Sequence, residues 1–520
     1  SSGGELGYRK EYLNLAQAAT RFAPPTEIHG IVDHQPLAIT APGRPIDRPA
    51  GGGGDQHGSF MWYPSEGDGV AKAMAAARAA FPAWSRAPVE MRSSFLHQYA
   101  DLLEKNQDQL LGEMVNEAGK TIDDALAELR EAIDFCRFYA DEATRVCQQR
   151  TLPGPAGEEN IWHMHGRGVF ACISPWNFPL AIFLGQITAA LAAGNCVVAK
   201  PAEQTPLIAF TAIKLMIEAG LPKGVVNLVL GDGKVGAALI AHPDLGGVVF
   251  TGSTQTARAI NQNLAAKPGP IVPLIAETGG INAMIVDSTA LPEQVCDDVI
   301  NSAFKSAGQR CSALRVLYLQ DDIADQMTGM IIGAAKEVQL GDPVDLAVDV
   351  GPIIDAAARA TLMAYTDTLP SGSELLYRGD APTDGTFFAP HIIALPGLEG
   401  PEKEVFGPVL HICRWSADQL DSVIAAINGT GYGLTFGVHS RLDTMIDYLV
   451  PRINAGNIYA NRNMIGAVVG VQPFGGAGLS GTGPKAGGPN YLMRFCEEKT
   501  VSINTAAAGG NASLIALDDA

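Results

Sequence analysis

The sequence predicts an α/β fold built on a parallel sheet, and three observations predict it. From residue 169 onward, short apolar runs at 169–173, 195–199, 225–230 and 247–250 alternate with stretches long enough to be helices. That alternation marks parallel strands joined by crossover helices. Before residue 150, apolar residues recur at spacings of three and four, the period of helices with one buried face. Finally, 520 residues with 47% hydrophobic and 18% charged side chains describe a folded chain long enough for several domains.

Taken in order, residues 1–65 read as an extension: a helix over 8–22, then a proline-rich stretch ending in the flexible run Gly51-Gly52-Gly53-Gly54. The alanine-rich stretch 70–84 is helical, and Pro82 should end it early. Phe95, Leu96, Tyr99, Leu102, Leu103, Leu110, Leu111 and Met114 give the following helical region one buried face. Ile122, Leu126, Leu129, Ile133 and Cys136 continue the rhythm in a second long helix, for which packing alone accounts. Prolines and glycines return over 151–168 before the strands begin.

Composition excludes several functions. A net charge of −19 without a basic cluster argues against a nucleic-acid partner. The apolar run 180–199 reaches membrane-spanning length, yet Gln186, Thr188 and the break at Gly194-Asn195 make it a buried helix turning into a strand. Eight scattered cysteines show neither a C-x-x-C pair nor zinc spacing, so no metal is expected and a reducing, cytoplasmic compartment fits. The start, Ser1-Ser2-Gly3-Gly4-Glu5, has no apolar leader and no Met, as in an excision from a longer chain.

Chemistry concentrates on loops. Gly308-Gln309-Arg310-Cys311-Ser312-Ala313 places one thiol among small residues beside a cation that would favour the thiolate, making Cys311 the first candidate nucleophile. Alone, it could equally be an inert buried thiol. Gly231-Asp232-Gly233-Lys234-Val235-Gly236 matches the dinucleotide fingerprint, but the acidic residue needed about twenty positions later is missing. A tight strand-to-helix turn is the better use. Ligands bind at the carboxyl ends of parallel strands, and those ends carry Ser174-Pro175-Trp176-Asn177-Phe178-Pro179, Lys200-Pro201-Ala202-Glu203, Phe250-Thr251-Gly252-Ser253 and Glu277-Thr278-Gly279-Gly280. A thiol, a carboxylate and an amide donor would supply nucleophile, base and oxyanion donor for aldehyde or acyl chemistry.

With Glu404-Val405-Phe406-Gly407-Pro408, these motifs closely resemble, in order, those of the aldehyde dehydrogenase superfamily, from about residue 70 to 503. One mild departure is Thr278, where many members have leucine. The resemblance implies that Cys311 attacks the aldehyde carbon, that Asn177 and the Cys311 N–H hold the oxyanion, and that Glu277 activates water against the thioester. It also implies that Lys200 and Glu203 meet the adenosine ribose of NAD, Ser253 its pyrophosphate, and Glu404 and Phe406 its nicotinamide ribose. Ser174, Trp176 and Gly252 lie along the same cofactor. Glu203 favours NAD over NADP, since a carboxylate repels a 2′-phosphate.

The segments Asn461-Arg462-Asn463, 466–476 and 481–489 are similar to the branch that oxidises L-glutamate-γ-semialdehyde, above all to the aldehyde dehydrogenase domain of proline utilisation A proteins. In that branch a glycine-rich anchor loop and a hydroxyl beside the cysteine grip the substrate carboxylate. The corresponding residues are read as Gly476, Ala477 and Ser312, with Phe178 on the carbon chain. Such proteins carry a flavin-dependent proline dehydrogenase barrel, for which residues 1–65 leave no room, so no flavin is expected and the chain would be an isolated domain or a stand-alone member. The family architecture implies a Rossmann-like NAD domain (66–147 and 169–276), a catalytic domain (277–490), and an oligomerisation element (148–168 with 491–520) whose β-hairpin pairs near Thr500 and supports a homodimer. Other small aldehydes, of succinate-semialdehyde or betaine-aldehyde type, and a catalytically silent binding protein remain as alternatives.

Overall fold

In the computed structural model, residues 13–14, 17–19, 23–45 and 60–508 are described. The helix expected over 8–22 falls mostly outside them, and the glycine run 51–54 wholly outside. Two seven-stranded sheets form the body.

The first sheet has the order Leu274–Glu277, Leu245–Thr251, Val169–Ile173, Cys196–Lys200, Val226–Leu228, Ile31–Val32, Gln35–Pro36. Its first five strands are parallel. Valine, isoleucine and alanine dominate them because helices cover both faces. Chain order reverses beside Val169–Ile173, whose neighbours are Cys196–Lys200 and Leu245–Thr251. That switch point opens a crevice at the carboxyl ends of the strands. Run 180–199 forms the buried helix Ala181–Ala192 and the strand Cys196–Lys200. Among the described residues no helix is long and apolar enough to cross a membrane.

The second sheet runs Glu374–Arg378, His391–Ala394, Val409–Trp415, Val316–Gln320, Ala283–Val286, Thr435–His439, Asn457–Ala460, antiparallel only at its first pair. A separate three-stranded sheet pairs Arg150–Leu152 and Cys496–Asn504 with Glu158–Gly166, Thr500 lying opposite Trp162.

Pro82 does not end its helix, which runs Gly69–Arg86. The reason is tertiary: Trp84 is buried and its indole N–H donates to the Leu191 carbonyl at 3.2 Å, fixing the turn beyond the proline. The long helix Ile122–Val146 starts at Thr121, whose hydroxyl accepts the Asp124 N–H at 3.3 Å. Its apolar stripe packs on Val89–Lys105 and Ala181–Ala192.

Candidate active site

The cysteine loop leaves the helix Pro292–Phe304 through a strained turn. Ser306, Ala307 and Gly308 have φ of 56°, 54° and 63° in succession. Only glycine adopts that region freely, so the other two need external ties. Ser306 supplies them: its hydroxyl donates to Asp124 Oδ2 at 2.6 Å and accepts from Arg310 Nε at 2.8 Å. Gln309 fixes the next step, accepting the Ile354 N–H at 3.0 Å and donating to the Pro352 carbonyl at 3.2 Å. The half-buried thiol of Cys311 is thereby presented on a held backbone.

Arg310 does not activate it. Its guanidinium turns away to Asp124 Oδ1 at 2.8 Å and lies 5.4 Å over the Phe178 ring. The neighbouring cation is Arg315, fully buried, which donates to the carbonyls of Gly308 (2.7 Å), Gly407 (3.1 Å) and Arg310 (3.0 Å) and to Glu404 Oε1 (3.1 Å). Burial first, then the carboxylates Glu404, Glu277 and Glu131, push the Cys311 thiol up to about 12, with Arg315 opposing. At neutral pH the sulfur is therefore a protonated thiol that needs a base.

Asn177 sits just beyond the strand Val169–Ile173, and its amide donates to the Gln309 carbonyl at 3.0 Å, two residues from the thiol. Glu277 ends the strand Leu274–Glu277. One oxygen, Oε2, accepts the Gly476 N–H at 3.0 Å, while Oε1 is buried without a partner among the described residues. Burial pushes this carboxyl up to about 8, against the Gly476 N–H and the Lys485 ammonium. A group poised there can exchange a proton near neutrality. A Cβ on Gly279 would lie 1.7 Å from Glu404 Oε2, so a side chain there would displace that carboxylate. Thr278 is tied by its N–H to the Ser480 carbonyl (2.9 Å) and by its hydroxyl to that of Leu479 (2.5 Å).

Cys311 and Glu277 face one cavity of about 120 Å³, with Phe178, Ser312, Ala467 and Phe474 among its walls. Gly476 and Ala477 do not line it. The Gly476 N–H is engaged by Glu277, and Ala477 pairs with Gly433 in a short antiparallel ladder. The loop that does reach the cavity, through Ile465 and Ala467, lies ten residues earlier in the same glycine-rich segment. The N–H groups of Gly466 and Ala467 find no partner among the described residues.

At the carboxyl edge of the first sheet lie the remaining predicted residues. Lys200 is buried, and its ammonium donates to the Pro201 carbonyl at 3.0 Å. Glu203, three positions after Lys200, is exposed. Ser174 is buried with its hydroxyl unpartnered among the described residues. Ser253 caps the helix Thr254–Ala266 by accepting the Thr256 N–H at 3.1 Å, and the Gly252 N–H donates to the Glu277 carbonyl at 3.1 Å. Trp176 meets the Phe406 ring edge-on at 5.7 Å, and Arg315 lies 5.2 Å over the same ring. The G-x-G-x-x-G stretch is a capped turn: Asp232 accepts the Lys234 N–H at 2.9 Å, and a Cβ on Gly231 would meet Val235 at 2.3 Å. A carboxylate thus occupies the helix start where a phosphate would have to sit.

The aldehyde dehydrogenase family profile matches residues 61–501. The chain belongs to the aldehyde dehydrogenase family. It is 50% identical over 433 residues to the Escherichia coli bifunctional protein PutA, covering 81% of this chain but 32% of that protein. It thus spans about a third of that relative's length. The Geobacillus thermodenitrificans 1-pyrroline-5-carboxylate dehydrogenase is 36% identical over 438 residues, 83% of this chain and 85% of the relative. A Thermus 1-pyrroline-5-carboxylate dehydrogenase, solved with bound NAD, superposes with a TM-score of 0.88 at 32% identity, covering 95% and 96% of the two chains.

In this aldehyde dehydrogenase, helix Ile122–Val146 does more than pack. Asp124, Glu128 and Glu131 fall at spacings of four and three, so one face carries three carboxylates toward the site. Asp124 holds Arg310; Glu128 pairs with Lys120 at 2.8 Å and accepts the N–H groups of Leu180 (2.8 Å) and Ala181 (3.1 Å), capping the helix behind Phe178. Glu131 lines the cavity itself, and burial and Glu128 push its carboxyl up to about 7. The polar counterpart of the apolar rhythm was the available signal. Arg315 left only a weaker one, four residues after the cysteine.

Proposed function

We propose that the chain oxidises L-glutamate-γ-semialdehyde to L-glutamate with NAD, as a homodimeric cytoplasmic enzyme of proline catabolism. The observation that carries this reading is the Cys311 cavity. Its wall is apolar at Phe178, Ile465 and Phe474, while Ser312, Ala467 and the Glu131 carboxyl line it as well, and the N–H groups of Gly466 and Ala467 find no partner among the described residues. The N–H groups and the hydroxyl suit an α-carboxylate, and Glu131 suits an α-ammonium. The relatives named above support the same substrate.

The strand-end residues fit the cofactor. Ser174 is a buried hydroxyl without a partner among the described residues, Lys200 and Glu203 put a cation and an exposed carboxylate at the end of one strand, and Ser253 caps the start of a helix. Lys200 and Glu203 would hold the adenosine ribose, Gly252 and Ser253 the pyrophosphate, and Trp176, Glu404 and Phe406 the nicotinamide end. When bound, NAD supplies the hydride acceptor.

The protein's own steps follow from the geometry. The Cys311 sulfur attacks the aldehyde carbon and forms a C–S bond, its proton passing to a base because the thiol is neutral at rest. Asn177 and the Cys311 N–H take the developing negative charge on oxygen. After oxidation to the thioester, Glu277 removes a proton from water as its oxygen attacks the acyl carbon. The C–S bond breaks, and the acid leaves. The domain division at residue 277 and pairing of two copies through the sheet Arg150–Leu152, Glu158–Gly166, Cys496–Asn504 belong to the same proposal, supported by that sheet's exposed outer strand. Eight free thiols suit a reducing compartment.

The test is NADH formation with L-glutamate-γ-semialdehyde beside propanal and succinate semialdehyde. Preference for the amino-acid aldehyde is expected, and it should collapse in Ser312→Ala. Equal turnover of the three would overturn the substrate assignment.

A further inference from the structure

Lys485 stands out as a cation that neither catalysis nor cofactor binding has used. It lies on the loop after Gly481, and its ammonium donates to the Gly456 carbonyl. Ala486 beside it exchanges two hydrogen bonds with Phe474, both 2.9 Å, which fixes residue 485 against Gly475. Gly475 is wedged between base and lysine: a Cβ there would lie 2.8 Å from Glu277 Oε1 and 3.2 Å from the Lys485 α-carbon. Gly456 backs it closely, since a Cβ on Gly456 would lie 1.9 Å from the Gly475 carbonyl oxygen. Asn457 completes the frame, donating to the Pro473 carbonyl at 2.9 Å and accepting the Gly475 N–H at 3.4 Å.

We propose that Lys485 is the positioning residue of Glu277: its tether to Gly456 holds the Gly475-Gly476 turn whose N–H parks the carboxylate, and its charge balances that carboxylate once ionised. This rests on the reading of Glu277 as the base. Among the described residues Lys485, Cys311 and Tyr491 interact electrostatically with Glu277, Lys485 being the cation of the three, while Glu131 and Arg310 line the same cavity. The influence is mutual, for Glu277 raises the Lys485 ammonium's proton affinity while burial, the larger effect, lowers it. Without the ammonium, the base would ionise only at higher pH, and the Gly476 N–H would be less firmly placed.

The experiment is the pH profile of kcat, with KM recorded, for the wild type, Lys485→Met, Lys485→Gln, Lys485→Arg and Glu277→Gln. Glutamine keeps a donor for the Gly456 carbonyl without the charge; arginine keeps the charge. An alkaline shift of the acid limb by about one unit is expected in the methionine and glutamine variants and not in arginine. Should the methionine variant fail to fold, glutamine and arginine carry the comparison. An unshifted limb in the neutral variants, or an equal fall of kcat in all three lysine variants without a shift, would overturn the proposal. Glu277→Gln separates the two readings: full turnover in that variant would overturn the base assignment, whereas stalled turnover there beside an unshifted Lys485→Gln limb would overturn only the role of Lys485.

Discussion

At the scale of single residues, the site works by opposing burial with a few directed contacts. Cys311 is pushed up to about 12 and Glu277 up to about 8, so the resting enzyme holds a thiol beside a carboxyl that ionises near neutrality. In its proposed role Glu277 acts as a base only when ionised, so kcat should fall as pH drops through about 8, and a kcat–pH profile would show that limb. Iodoacetamide labelling of Cys311 without NAD should keep rising with pH through the neutral range. Asn177→Ala removes a proposed oxyanion donor and should lower kcat by roughly 10²–10³-fold in steady-state assays. The proposed nucleophile, base and oxyanion donor can be picked out in the sequence because each residue type suits one chemical task at a strand or helix end. The activating cation was not legible: adjacency pointed to Arg310, but its side chain is consumed by Asp124, and Arg315 reaches the loop only through folding.

At the scale of elements, the strained turn at Ser306 and Ala307 depends on the helix Ile122–Val146. Burial alone would raise the Asp124 carboxyl, yet Arg310, Lys120, Lys305 and the Ser306 hydroxyl hold it below its ordinary value. A depressed carboxyl stabilises the fold above its unfolded pKa, and that contribution is lost as pH falls through the folded value. Asp124→Asn leaves Arg310 buried and unpaired, so it should cost about 3–5 kcal/mol in denaturant unfolding at neutral pH. The difference from wild type should narrow in acid. The anchor loop shows where pattern reading failed. Two glycine-rich turns follow Asn461 within one segment, and small residues alone could not tell which faces the cavity. Contacts decide it, since Gly476 is spent on Glu277 while Ala467 lines the cavity.

At the scale of the whole molecule, the proposed catalysis joins two sheets used at opposite ends. Ser174 and Ser253 follow strands of the first sheet and Lys200 and Glu277 end them, whereas Cys311 and Glu404 precede the strands Val316–Gln320 and Val409–Trp415 of the second. The strand-end rule therefore points to the first sheet for the proposed cofactor site and is silent about the cysteine side. Parallel strands and crossover helices were readable because buried strands give continuous apolar runs. Pro82 was misread because a buried tryptophan overrides local propensity. Because NAD would bind the folded chain alone, a concentration of 100 times its Kd should raise unfolding free energy by about 2.7 kcal/mol, seen as a higher Tm. Thr500→Pro interrupts the ladder opposite Trp162 and should convert the proposed dimer to monomer in sedimentation experiments.

The most direct measurement is the intact mass of the Glu277→Gln enzyme mixed with NAD and L-glutamate-γ-semialdehyde, beside the same mixture for Cys311→Ala. A glutamyl adduct should accumulate on the first protein, map to Cys311, and be absent from the second. An adduct on another residue, or complete turnover by Glu277→Gln with no adduct, would contradict the assignment of nucleophile and base on which the mechanism stands.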